Sequence, residues 1–336
     1  MNMSCDRCGD FPGASFCPYC GERLDDGGRH GRGTDIVTAV AYISIILSMV
    51  TLVSELFGMW SGTASTFEWL VDYRSGILFL VPNLVVVGYL EGLSLQLWWL
   101  ALVGAITASA ILMIIGSRDV FKKESYHNGA VEGTSLFWVS VCFSGSIVIT
   151  LALNAVMTSM GSGIQVPDTL PSGSSPASLF EYADAAVWEE VVSRMVYIGI
   201  PMTLAALYVK KDGWWKCLFG GFGMSRLAVV LIIISALVFA FAHMGSWGFS
   251  KVIPVFLSGI LFGYLFVRFG VHACIMMHFL TDYMVVFTEV SMTVSALTML
   301  GLMLVGLVSV LYLLRHLYRN RGFWKEIPTL IQHDGN

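Results

Sequence analysis

The sequence predicts an all-α protein, a polytopic transmembrane helical bundle of about eight spans with a small zinc ribbon at its N-terminus. Three observations carry this expectation. The composition is 56% hydrophobic and 12% charged, where a soluble domain holds ~25% charged residues. The mean hydropathy is +0.74, and it is concentrated in runs of roughly 20 apolar residues, the length that crosses a bilayer as a helix. Ahead of these runs stands a polar segment with the pattern C-x2-C-x8-C-x2-C.

The head comes first. Cys5, Cys8, Cys17 and Cys20 form two pairs, each placing two thiols on one tight turn. Two such knuckles supply a tetrahedral zinc site. Gly9 and Gly21 follow the second cysteine of each pair, where a knuckle turn favours glycine. Residues 1–24 therefore read as a ribbon around one structural Zn. Four thiolates leave no open position on the metal, so the head is not a reaction centre. Two disulfides in an exported head are the alternative, and no secretory signal precedes the segment. Cys142, Cys217 and Cys274 are scattered in apolar contexts and read as buried packing. The net charge is -4 and no basic stripe is present, which argues against nucleic acid. The head reads either as a module that docks a cytosolic protein or as a stabilising cap, and protein contact is expected over nucleic acid. Residues 25–34, rich in Gly and Arg, read as a flexible linker.

Apolar runs follow at about 36–57, 76–90, 95–116, 135–160, 178–209, 226–247, 252–268, 271–290 and 293–314. In lipid, a span must satisfy its own backbone polar groups, so these are expected as helices. They divide into N-terminal transmembrane helices over 35–160, an extracytoplasmic loop over 161–177, a second set of helices over 178–314 and a cytosolic tail over 315–336. Lys and Arg concentrate at Arg118/Lys122/Lys123, at Lys210/Lys211/Lys216/Arg226 and in the tail from Arg315 to Lys325. The excess of positive charge on cytoplasmic loops places all three inside. Both termini are then cytoplasmic and the protein is a multi-pass component of the cell membrane. That arrangement needs an even number of crossings. The 76–90 run is the weakest, being short, holding Pro82 and Asn83 and running into Glu91 and Gln96. It is expected to be re-entrant or fused with its neighbour. Nine spans with an extracytoplasmic tail would violate the charge rule.

The chemistry is expected around Trp188-Glu189-Glu190-Val191-Val192-Ser193-Arg194, which puts two carboxylates and a guanidinium inside a span. A charge at bilayer depth costs between ~2.5 and ~17 kcal/mol, so these groups need partners. Glu190 and Arg194 are four apart and can pair along their own helix. Glu189 stands about 100° round from Glu190. Ser235, Phe239 and His243 form a stripe on another helix, and His278 and Asp282 share one face of a third. His272 reads as an interfacial residue at a helix start. Glu55, Glu91 and Glu289 lie near span ends and are expected to be solvated. Single intramembrane histidines commonly serve helix packing, but six ionisable groups on three neighbouring spans go beyond packing. Carboxylate plus imidazole in a recessed cavity suits the activation of water. Two His and a Glu are also the ligands of a hydrolytic zinc site, although no H-E-x-x-H occurs.

Glu189-Glu190-x3-Arg194, Phe239-x3-His243 and His278-x3-Asp282 together resemble the three motifs of the CPBP intramembrane proteases (CAAX protease and bacteriocin-processing, or Abi), to which type II CAAX prenyl endopeptidases belong. The resemblance covers roughly 178–290. It implies that Glu189 activates water with His243, that Glu190 and Arg194 support it, and that His278 and Asp282 stabilise the oxyanion. It implies hydrolysis of a peptide bond in a lipidated or membrane-associated protein or peptide, in contact with membrane lipid. Members of the family are often labelled metalloproteases, while a metal-free glutamate mechanism is favoured for relatives, and the sequence leaves both open. Prenyl-processing members typically carry Asn at the position of Asp282, and an ionised Asp cannot donate to an oxyanion. By residue count Glu189 lies ~16 Å into its span, His243 near the outer end of its helix and His278 in the inner half of its own. A tilt or an irregular helix has to bring them together.

Two other functions are compatible with the residues. A non-catalytic scaffold or bacteriocin-immunity-type protein would use the polar cluster for packing and the ribbon to bind a cytosolic partner. A transporter with an acidic relay would favour internal repeats and broken helices, and no repeat is visible.

Overall fold

The computed structural model describes residues 35–81, 83–164, 167, 173, 175–287, 291–323 and 327–330, with the backbone of 4–5 and 9–10. In the head, Ser4–Cys5 (β1) pairs antiparallel with Gly9–Asp10 (β2). The expected ligands Cys8, Cys17 and Cys20, the side chain of Cys5 and the linker 25–34 lie outside the described residues.

The body is a helical bundle. Its long helices are α1 (Ile36–Ser61), α2 (Leu93–Gly116), α3 (Ser135–Ser159), α4 (Pro176–Tyr208), α5 (Arg226–Ala242), α6 (Val252–Phe269), α7 (Val271–Phe287) and α8 (Met292–Arg319). Among the described residues, 7 helices are long and apolar enough to cross a membrane. α7, with 17 residues, falls just short of that length and packs among them.

Local chemistry fixes the helix ends. Asp35 accepts from the Thr38 N–H at 2.9 Å, satisfying one of the free amides that open α1. Arg315 of α8 also pairs with Asp35 at 2.5 Å. The start of α1 and the end of α8 therefore share one end of the bundle. Ser175 caps α4 ahead of Pro176, a residue suited to the first helical turn.

Small residues let the helices touch. A Cβ on Gly306 of α8 would stand 2.3 Å from the Ser144 carbonyl of α3, and the Ser144 and Ser309 hydroxyls meet nearby at 2.8 Å. Gly259 of α6 approaches Ala236 of α5 in the same way. Such contacts replace the hydrophobic drive that lipid cannot supply. α3 is the most enclosed of these spans, with Phe137, Trp138 and Phe143 fully buried. Ile43, Ile46 and Val50 of α1 and Leu304, Leu307 and Leu311 of α8 face outward, as lipid-facing residues do.

The 76–90 run departs from the all-α expectation. It forms a β-hairpin, Arg74–Val81 (β3) against Asn83–Glu91 (β4), with Arg74 opposite Glu91 and Leu80 opposite Leu84. The β-branched run Val85-Val86-Val87 favours a strand, and a proline at 82 cannot continue a helix. The hairpin returns to the end of the bundle from which it left, so it adds no crossing. It lies along α4: the Trp188 indole donates to the Leu78 carbonyl at 2.6 Å and the Tyr197 hydroxyl donates to the Leu80 carbonyl.

α4 is itself irregular. Its ends, Pro176–Asp184 and Ile200–Tyr208, are α-helical, and two wider π-helical stretches, Ala185–Glu189 and Val191–Gly199, lie between them. Pro201 gives one physical reason, because its ring would clash with the carbonyl four residues back in a regular helix. π-turns are rare and are frequently found at functional sites.

Candidate active site

The wide part of α4 carries Glu189, Glu190 and Arg194. The last turn of α5 carries Phe239 and His243, and α7 carries His278 and Asp282. α4 is irregular where residue counting asks for a tilt or an irregular helix, and the six ionisable side chains meet.

Glu190 and Arg194 form the floor. Both are fully buried, and Arg194 Nε donates to Glu190 Oε2 at 3.0 Å. Arg194 Nη1 donates to Ser235 Oγ at 2.7 Å, and that hydroxyl donates to the Ser193 carbonyl at 2.6 Å. The guanidinium also faces the rings of Phe239 and Phe262, 4.9 and 5.3 Å from their centroids. A buried ion pair is tolerable only when further hydrogen bonds complete it, and Ser235 supplies one. The second oxygen of Glu190 holds His278, with Nδ1 2.9 Å from Oε1.

Glu189 lies above this floor and keeps 28% of its side chain exposed. Its Oε2 is 3.8 Å from His243 Nε2 and 3.8 Å from His278 Nε2. These separations exceed a direct hydrogen bond and suit a small molecule shared among the three groups. Both imidazoles are oriented from behind. His243 Nδ1 is 2.8 Å from the Phe239 carbonyl, which can only accept, so that nitrogen carries a proton. His278 Nδ1 donates to Glu190 in the same manner. Each ring therefore aims Nε2 at Glu189. Asp282 Oδ2 is 3.3 Å from His278 Nε2, a place from which it orients that ring.

Further groups near the site went unread in the sequence. Glu55 of α1 was expected at a solvated interface and is instead 1% exposed. Neither of its oxygens has a hydrogen-bond partner among the described residues, and Asp282 is its charged neighbour. Lys251, just before α6, lies over the Trp247 ring at 4.0 Å and within electrostatic range of Asp282 and Glu189. Asp184 of α4 accepts from the Trp98 indole at 2.7 Å. Tyr73, at the base of the hairpin, donates to Glu181 at 2.9 Å. Burial, reinforced by Glu181, pushes the Tyr73 phenol up to about 12. By contrast Glu91 is exposed beside Arg74, and Glu289 lies outside the described residues.

Residues 172–284 match the family described as Type II CAAX prenyl endopeptidase Rce1-like. The matched stretch begins just before α4 and ends just past Asp282, so it contains all six site residues and leaves out the head, α1 to α3 and α8. No curated protein and no solved structure matches the chain. The family match supports a multi-pass membrane endopeptidase, in contact with lipid and a peptide substrate.

Proposed function

We propose that the chain is an intramembrane endopeptidase of the CAAX-protease type, with Glu189 as the general base. The observation that carries this is the position of Glu189 Oε2, 3.8 Å from two imidazole nitrogens that are both fixed from behind. A water held by Glu189 and His243 Nε2 gives a proton to Glu189 as its oxygen attacks the scissile carbonyl. A His278 ring protonated on both nitrogens donates Nδ1–H to Glu190, and its Nε2–H, which rests against Asp282, is shared with the oxyanion as that develops. Asp282 acts by orienting His278. Collapse of the tetrahedral intermediate breaks the C–N bond, and Glu189 passes its proton to the leaving amine. The products are a carboxylic acid and an amine.

Glu190 and Arg194 are positioning residues. No catalytic metal enters this scheme. Among the described residues, no group of three or more His, Cys, Asp or Glu side chains has a metal-holding arrangement. The head is read as a structural zinc ribbon that docks a cytosolic protein.

The test is cleavage of apolar peptides by the purified protein in proteoliposomes, read by mass spectrometry. Glu189→Gln is expected to lower kcat by ~10²–10⁴-fold, the usual contribution of a general base, and His243→Ala is expected to slow the same step. Equal activity in wild type and both variants sinks the proposal and favours a scaffold.

A further inference from the structure

The site is displaced toward one end of the bundle, and the charge on the connecting loops says which face of the membrane that end meets. One end gathers the starts of α1, α3, α5 and α7 and the ends of α2, α4, α6 and α8. Contacts there include Asp35 with Arg315, Ser117 with Ser135 at 3.3 Å, and the Arg226 N–H on the Pro328 carbonyl at 2.9 Å. The loops at this end carry Arg118, Lys122, Lys123, Lys210, Lys211 and Lys216.

The opposite end is tied by Ser250 donating to the Gly163 carbonyl at 3.1 Å and Tyr283 donating to the Leu179 carbonyl at 2.5 Å. Among the described residues, the connecting segments at this end hold only Arg74 and Lys251 as cations, against Glu68, Asp72 and Glu91. Short cytoplasmic loops retain Lys and Arg, and anionic lipid on the cytosolic leaflet attracts them. The cation-rich end is therefore the cytosolic one.

The catalytic groups sit toward the other end. His243 closes α5 there. Lys251, in the segment leading into α6, lies over the Trp247 ring and within electrostatic range of Glu189 and Asp282. Asp282 is five residues from Phe287, where α7 ends at the same face. We infer that the site, read as a protease, opens to the extracytoplasmic half of the membrane and cuts an exported or membrane-anchored polypeptide whose scissile segment emerges on that face. The cytosolic C-terminal tail of a prenylated protein is then not the substrate.

Two measurements on the full chain in intact cells test this. Against a parent chain that lacks Cys142, Cys217 and Cys274 and keeps the head cysteines, Ser162→Cys and Ser246→Cys, both exposed at the site end, are expected to add label from a membrane-impermeant maleimide before lysis. Lys123→Cys and Asp212→Cys, exposed at the opposite end, are expected to react only after lysis. Any other pattern overturns the sidedness. The second measurement maps new protein termini in cells making wild type or Glu189→Gln. Wild-type-specific termini in extracytoplasmic or outer-leaflet segments support the inference. Wild-type-specific termini in cytosolic segments overturn it and leave the protease reading standing, whereas no difference between the cells removes the protease reading itself.

Discussion

Replacing Arg194 by Met tests the support beneath the candidate base. The guanidinium is fully buried and gives one hydrogen bond to Glu190 at 3.0 Å and another to Ser235 at 2.7 Å. Methionine fills much of the same space between Phe239 and Phe262 and offers no donor. Glu190 then remains as a buried carboxylate with only His278 against it, and Ser235 loses a partner. Removing one member of a buried ion pair costs ~3–5 kcal/mol, because the other charge is left uncompensated. The lost bond to Ser235 lies within that figure, since both bonds come from one group. Replacing both members, Glu190→Gln with Arg194→Met, removes the stranded charge, and such exchanges are often neutral. The double variant is therefore expected to recover most of the loss. Equilibrium unfolding of the purified protein in one detergent, for wild type, both single variants and the double, closes the cycle. Cleavage followed in parallel separates stability from positioning. The double variant is expected to fold and yet cleave slowly, because His278 has lost its carboxylate anchor. The reasoning is refuted if Arg194→Met is as stable as wild type, or if the double variant is no more stable than Arg194→Met.

Other substitutions probe the rest of the site. Asp282→Ala leaves His278 Nε2 without its orienting group and is expected to lower kcat by ~10²-fold or more, the scale of a lost oxyanion contact. Asp282→Asn keeps an acceptor at that position and is expected to stay well above Ala, so equal rates for the two variants would contradict the orienting role. Phenanthroline is expected to release zinc from the head, read with a colorimetric indicator, while Glu189-dependent cleavage continues; cleavage that stops on chelation and returns with zinc would overturn the metal-free mechanism. Trp188→Phe and Tyr197→Phe each take a donor from a β3 carbonyl, at ~0.5–1.5 kcal/mol. Amide exchange in Arg74–Val81 should accelerate in both, and unchanged exchange would show that these bonds do not pin the hairpin.

The bundle was legible because lipid leaves a long apolar run few structures to adopt. That the six candidate residues come together was legible because each is costly in a membrane and their spacings place them on helix faces. The hairpin was not legible. A short apolar run reads alike as a buried strand or a helix, and periodicity does not separate the two. The π-turns of α4 were also hidden, since Ala185 to Gly199 has an ordinary helical composition. Glu55 was misplaced for a different reason. Counting residues put it near a span end, but Ser44, Ser48, Thr51 and Glu55 recur at spacings of three and four along α1, and all four are buried. That polar stripe marks an inward face, and periodicity should have outweighed depth.

The proposed mechanism gives neighbouring residues of one type opposite tasks. Both oxygens of Glu190 are committed, one to Arg194 and the other to His278, so its carboxylate is fixed in place and cannot reach a substrate. Glu189 is held only at 3.8 Å from its nearest basic groups and keeps part of its surface open. A general base needs that freedom, because it must take up a proton and return it within one turnover. The division requires adjacent side chains to point into different surroundings while the helix stays continuous. α4 meets it by widening on both sides of Glu190. The hairpin completes the enclosure: Leu80 packs with Val192, Phe239 and Val255, placing apolar side chains beside a site that would otherwise lie between α4 and α5 with lipid as its neighbour. Loosening the hairpin should therefore alter how the peptide reaches Glu189 before it alters the base itself, raising KM more than it lowers kcat. Trp188→Phe and Tyr197→Phe, assayed for both constants, decide whether that order holds; a fall in kcat at constant KM would place the hairpin in the chemistry instead.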